Sequence, residues 1–272
     1  MNEPTEGQFA GCVVGLAVGD ALGYPAEFRR RAELQQALGA AGVTGFLAID
    51  DPRFERPVVV GKPHPPGTFT DDTQMTLALA EGLLRAGGTS LDTRMQAIAE
   101  EFIAWSESST NDRAPGNTCM AGCANLAAGR PWRLAGVPDS KGCGSAMRVA
   151  PIALLYRDVE ELLEVARASS LLTHGHDAAV EGAAAVALMV HHALYGASPK
   201  RLYDEVARRC GGRSQDFDRC WAALEGLMTA PPELALSKAG LGEAWVADEA
   251  AASGLYCFHH SPDDYREAVL VA

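Results

Sequence analysis

The chain has 272 residues, 47% hydrophobic and 21% charged, with no long biased tract, the composition of a soluble globular protein able to bury a large core. Its formal net charge of −12 argues against a general grip on nucleic acid, which needs clustered Lys and Arg to displace counterions from phosphates, and leaves room only for a local cationic pocket. Seven cysteines form an odd set without a CxxC pair, and the opening MNEPTEGQ lacks the basic and apolar regions of a secretory signal; the expectation is a reduced, cytoplasmic protein.

The first predicted element is glycine-rich. Gly11, Gly15, Gly19 and Gly23 recur every four residues, so on a helix they form one smooth stripe for close backbone packing. Val13, Val14, Leu16 and Val18 make that helix apolar nearly all round, which predicts a central, buried position. The apolar run FAGCVVGLAVG is too short to span a bilayer before Asp20 intervenes, so no membrane partner is expected. Asp20 itself reads either as a structural hydrogen-bond acceptor or as a site residue, because a buried acid is rarely left unpaired. Glu27 follows Pro25; it reads as solvated before Arg29, Arg30 and Arg31, or as a general acid or base held near a metal.

Only Val58, Val59 and Val60 have strand character, and three residues are too few to seed a sheet. The proline-rich stretch containing Pro63, Pro65, Pro66 and Gly67 then runs into Thr70, Asp71 and Asp72, immediately ahead of an apolar-periodic helix. Asp71 with Gln74 fits a capping pair. A cap uses one side chain, however, whereas Thr70, Asp71 and Asp72 stand together, and adjacent carboxylates at a buried helix end repel unless a cation or an ordered hydrogen-bond network compensates them. Hydroxyl and carboxylate oxygens are what Mg²⁺, Mn²⁺ and Ca²⁺ prefer.

Leu91, Met95, Ile98, Phe102 and Trp105 follow helical spacing. Cys119 and Cys123, four apart on a predicted helix, suit a metal or the buried packing usual for free thiols. Asn117-Thr118 in PGNT reads as a helix cap or as a ligand contact. In KGCGSAMRVAP, Gly142 and Gly144 precede a predicted helix start with Arg148 in its first turn, an arrangement whose N–H groups and cation can cradle a phosphate; the alternative is an ordinary glycine loop, since no P-loop or dinucleotide spacing is present.

Asp158 and Glu161 resemble a capping box. His174 and His176 in THGHD lack a third nitrogen or sulfur ligand at short spacing, which favours substrate contact or loop ordering over zinc. Residues 177–195 read as a long, largely buried helix. Ser198-Pro199 and Ser261-Pro262 each match an N-cap with proline at the first helical position, placing Asp263 and Asp264 in the first turn of a last helix. No repeat or linker divides the chain, so a single compact all-α domain over 1–272 is expected.

In order, GLAVGDALGYPAE, TFTDDTQM, PGNT, GCGSAMRVAP and LTHGHD resemble the ADP-ribosylglycohydrolase family, including its dinitrogenase reductase-activating branch, from about residue 7 to about residue 195. The resemblance implies an all-α fold with two Mg²⁺ or Mn²⁺ ions in a cleft, and hydrolysis of the bond joining the terminal ribose of ADP-ribose to a protein side chain, arginine favoured. It implies that Thr70, Asp71 and Asp72 are metal ligands and that Glu27 lies near the reacting ribose, with Glu27 or Asp72 assisting proton transfer. Gly142, Gly144, Ser145 and Asn117 would bound the groove for ADP-ribose, joined by His174 and Arg148. The family's second metal motif, of D-x-D-T kind near the C-terminus, does not occur in these 272 residues, so one ion or none is a further expectation, and an ADP-ribose-binding module with little or no turnover is the alternative function.

Overall fold

A computed structural model of the chain describes residues 3–54 and 63–272. The valines at 58–60 lie outside the described residues. Those described form fourteen α-helices: α1 Glu6–Gly23, α2 Arg31–Leu38, α3 Asp71–Ala86, α4 Leu91–Ser106, α5 Asn117–Ala127, α6 Trp132–Ala135, α7 Ala150–Leu155, α8 Val159–Leu171, α9 Asp177–Leu194, α10 Pro199–Cys210, α11 Gln215–Leu227, α12 Pro232–Ala235, α13 Ala247–His260 and α14 Tyr265–Val271. Extended pairing among them is limited to two isolated bridges, Val137 with His174 and Gly142 with Val246. The fold is all-α.

The alanine-rich stretch from Asp177 becomes the axis of the molecule because small side chains let neighbours approach on every side. Ala178, Ala179, Ala183, Ala184, Ala185, Ala187 and Leu188 of α9 are fully buried, and α8, α13, α10 and α7 pack around it. At Gly182 a β-carbon would lie 2.6 Å from that of Ala247, so the contact with α13 requires glycine. The periodic face of α4 is buried as its spacing predicts, with Met95, Ile98 and Phe102 at 0% exposure, against α3.

Caps follow side-chain chemistry. Asp158 accepts from the Glu161 amide and Ser198 from the Arg201 amide, with Pro199 opening α10. Ser261-Pro262 does not open a helix: Ser261 closes α13, and Asp264 caps α14 by accepting from the Glu267 amide at 3.1 Å. A Ser-Pro pair thus serves equally in a turn between two helices, and the turn sets the boundary here.

The glycine-rich helix α1 is not central. Ala21 is its buried residue, and Val14 is 60% exposed. An all-round apolar surface gives a helix no preferred buried face; α1 lies at the edge against α3 and α7, and Tyr265 of α14 caps its stripe by donating to the Gly15 carbonyl at 2.6 Å. α1 is also 18 residues long, not the 11 of its apolar run, and among the described residues it is the one helix long and apolar enough to cross a membrane. Its Asp20 is tied into the start of α3, as follows.

Candidate metal and ligand site

The turn before α3 is built around Asp20. Its carboxylate accepts from the Thr70 amide (2.9 Å), the Thr70 hydroxyl (2.7 Å), the Thr73 amide (3.1 Å) and the Thr73 hydroxyl (2.5 Å). Four donors from two residues make Asp20 the brace that joins α1 to α3, which decides between its two readings in favour of the structural acceptor. Thr70, not Asp71, is the N-cap of α3: its hydroxyl accepts from the Asp72 amide at 3.4 Å, its one proton is directed to Asp20, and Asp72 Oδ2 lies 3.1 Å away. Asp71 is thereby freed from capping. Its Oδ2 accepts from the Gly116 amide at 2.9 Å, linking α3 to the turn that starts α5.

Charge accumulates where these residues meet. The Glu27 carboxyl is pushed up to about 7, by burial first and then by Asp72 and Asp20. Asp72 is likewise raised to about 7, by burial and then by Asp71 and Asp20, and Asp71 to about 6, mainly by burial against the opposing Gly116 hydrogen bond. Asp71 and Asp72 are adjacent at the start of α3, which Thr70 and Thr73 tie to Asp20 of α1, and Glu27 follows the short turn Tyr24–Ala26 after α1. Among the described residues none of the four acids is ion-paired with Lys, Arg or His.

The glycine loop forms the opposite wall. Its backbone is held by the segment before α13: Cys143 N donates to the Trp245 carbonyl at 3.2 Å and Ala247 N to the Lys141 carbonyl at 2.9 Å. Cys119 joins the loop to the acids: its Sγ would lie 2.7 Å from a β-carbon at Gly144 and 3.8 Å from one at Gly116, whose amide donates to Asp71. Asn117, at the first position of α5, is exposed.

Several predicted ligand contacts lie beneath this surface. Arg148 is fully buried, does not open a helix, and sits two residues before α7. Its guanidinium donates to the carbonyls of Gly144 (2.7 Å) and Ser169 (3.1 Å) and to Thr173 Oγ1 (2.7 Å), and it lies over the Phe102 ring. Burial lowers its pKa. The expected phosphate contact is therefore corrected: Arg148 supports the loop from inside. Ser145 is buried and donates to the Ala179 carbonyl at 3.1 Å, so it too braces the loop. His174 is 1% exposed, with Nδ1 2.8 Å from Thr173 Oγ1. Burial and the adjacent Arg148 charge push its pKa down to about 3, so it is neutral. A β-carbon at Gly142 would lie 3.1 Å from His174 Nε2, and one at Gly144 would lie 2.8 Å from His174 Cε1 and 2.7 Å from Cys119 Sγ. The glycines are needed because the loop rests directly on these side chains. His174 orders the loop and is not at its surface.

Cys119 and Cys123 are buried in the core, and burial raises their thiols to about 12 and about 11. His176 caps α9. The parts missed from sequence are Gly116, whose amide fixes Asp71, and segment 245–247, which carries no motif and reaches the loop only through tertiary pairing.

The donor set suits a hard divalent ion. Thr70, Asp71 and Asp72 offer a hydroxyl and carboxylate oxygens, and among the described residues no Lys, Arg or His is ion-paired with these acids, whose pKa values are raised first by burial. Among the described residues no group of three His, Cys, Asp or Glu side chains is placed to hold a metal ion. Mg²⁺ takes one or two carboxylates and keeps waters or ligand oxygens for its remaining positions, so two adjacent acids and a hydroxyl fall within its chemistry.

The ADP-ribosylglycohydrolase family model matches residues 1–272. An uncharacterised protein of Archaeoglobus fulgidus is 35% identical over 205 residues, 75% of this chain and 61% of that one. The ADP-ribosyl-[dinitrogen reductase] glycohydrolase of Rhodospirillum rubrum is 32% identical over 211 residues, 76% of this chain and 64% of that one. The chain thus spans less than two thirds of the length of these two relatives. Among solved structures, an ADP-ribosylglycohydrolase-related protein complex superimposes with a TM-score of 0.67 and 27% identity, covering 97% of this chain and 79% of that one. The order of motifs, the all-α architecture and a family model spanning every residue converge: the chain belongs to the ADP-ribosylglycohydrolase family.

Proposed function

We propose that the protein is a metal-assisted hydrolase that cleaves the bond between the terminal ribose of ADP-ribose and a modified protein side chain, with arginine adducts favoured by the likeness to the dinitrogen reductase glycohydrolase. The observation that carries this reading is the group of Glu27, Asp71 and Asp72 near the start of α3, ion-paired with no Lys, Arg or His among the described residues and next to the glycine loop. Thr70, Asp71 and Asp72 would hold Mg²⁺ or Mn²⁺, which supplies orientation of the ribose hydroxyls and of water together with charge neutralisation. The exposed Asn117 and the backbone of Gly142 and Gly144 would border the ADP-ribose.

The residues of the chain account for the proton balance. Breaking the bond develops positive charge on the anomeric carbon, which nearby carboxylates favour. A water oxygen joins that carbon as the carbon–nitrogen bond breaks and its electron pair leaves with the nitrogen. One water proton stays on the new anomeric hydroxyl and the other passes to the leaving group. With a pKa of about 7, Glu27 is poised to take the proton from water or return it near neutral pH, and Asp72 would assist it.

A second reading, an ADP-ribose-binding module with little turnover, is favoured by the finding that no group of three His, Cys, Asp or Glu side chains among the described residues is placed to hold a metal ion. Titration calorimetry with ADP-ribose, with and without Mn²⁺, and release of ADP-ribose from an arginine-modified protein separate the two. Asp71→Asn keeps an acceptor for Gly116 N while removing the charge; it abolishes metal-dependent release if the hydrolase reading holds. Wild-type activity in that variant defeats it. Binding without release supports the module.

A further inference from the structure

One exposed feature of the cleft plays no part in this reading. Phe28 and Trp245 stack on each other with ring centroids 5.1 Å apart and planes at 22°, yet they are 55% and 48% exposed. They come from opposite walls. Phe28 is the residue after Glu27, and Trp245 accepts the Cys143 amide on its carbonyl, one residue before the Gly142–Val246 bridge. The pair therefore spans the rim between the acid side and the glycine loop. Its backbone is strained for the purpose: Phe28 has φ +62°, a left-handed conformation that a bulky side chain adopts only when its surroundings impose it, and such residues concentrate at ligand clamps.

We infer that the Phe28–Trp245 stack is a specificity platform for the planar cationic acceptor, the guanidinium of a modified arginine; this rests on the hydrolase reading above. Three features select that ligand group. Aromatic faces attract a guanidinium through its charge and its plane, Trp most strongly. Glu27, next to Phe28 in sequence and outside the residues that would hold the metal ion, is ion-paired with no Lys, Arg or His among the described residues, so it supplies negative charge on this rim for a cationic acceptor. Connectivity decides between the two flat ends of the substrate: the acceptor is joined directly to the anomeric carbon that must lie at the acids, whereas the adenine is separated from that carbon by a ribose, a pyrophosphate and a second ribose. A residue adjacent in sequence to Glu27 meets the acceptor.

The test uses the full chain with Mn²⁺, an arginine-ADP-ribosylated peptide as substrate, and free ADP-ribose, which lacks the acceptor, as reference ligand. Trp245→Ala is expected to raise KM for the peptide about ten-fold, the loss of one half-exposed cation–π contact, with less than a two-fold change in the Kd of ADP-ribose. Trp245→Phe retains most of the effect. Trp245→Lys, which keeps apolar length but presents like charge, raises KM further. An equal loss in peptide KM and ADP-ribose Kd overturns the assignment and gives the stack to the nucleotide. Wild-type KM in both Trp245→Ala and Trp245→Lys overturns it as well. Failure of the wild-type protein to release ADP-ribose removes the hydrolase reading and this inference together, whereas turnover with an indifferent Trp245 removes the inference alone.

Discussion

His174 provides a sharp test of how the glycine loop is supported. Its ring is 1% exposed and stands beside the buried Arg148, so protonation places two cations in one dry space. The folded pKa of about 3 against an ordinary 6.5 makes this group a source of stability above pH 6.5 that is lost as pH falls toward 3, because the unfolded chain takes up the proton first. At about pH 5 the loss amounts to about 2 kcal/mol, one and a half pH units at about 1.4 kcal/mol each. Urea unfolding of the wild type and of His174→Gln, each at about pH 7.5, 6 and 5, isolates this contribution: the variant is less stable at the highest pH, and the gap narrows by about 2 kcal/mol at the lowest. The comparison is needed because the acids at the start of α3 have raised pKa values and titrate in the opposite sense. A gap independent of pH refutes the buried neutral imidazole, and with it the placement of His174 and Arg148 beneath the loop.

Mn²⁺ is expected to raise Tm more at pH 8 than at pH 6, since Glu27 and Asp72 with pKa values of about 7 and Asp71 of about 6 must lose protons to accept a cation; thermal scans with an equal shift at both pH values contradict the ligand assignment. Gly144→Ala sets a methyl 2.7 Å from Cys119 Sγ and 2.8 Å from His174 Cε1, and denaturant titration should show a cost of about 1–3 kcal/mol. Gly82→Ala, whose new carbon would lie 2.7 Å from the Ile98 Cα, should lose at least that much, because backbone yields less readily than a side chain. Tyr265→Phe removes the hydrogen bond to Gly15 and should cost about 1 kcal/mol by the same assay.

Local chemistry and periodicity alone determined that this chain is helical, where its best-capped helices begin, and which residues could bear charge near α3. Ser198-Pro199, Asp158 and the period of α4 needed no tertiary information, because caps and apolar faces act within a few residues. Ser261-Pro262 did, since the same dipeptide closes a turn when the next residues bend. Composition read α1 as central, but a helix without a polar face is placed by what packs against it, and α3, α7 and α14 leave much of it open. The sequence likewise supplied Asp20, Glu27, Asp71 and Asp72 without saying which acid is consumed by structure. Asp20 is, because Thr70 and Thr73 converge on it from fifty residues away. Arg148 looked like a phosphate ligand by type and position, and only the packing of Phe102, Ser169 and Thr173 around it turned it inward. Pairing of segment 245–247 with the glycine loop was invisible for the same reason: backbone hydrogen bonds between distant segments carry no residue-type signature.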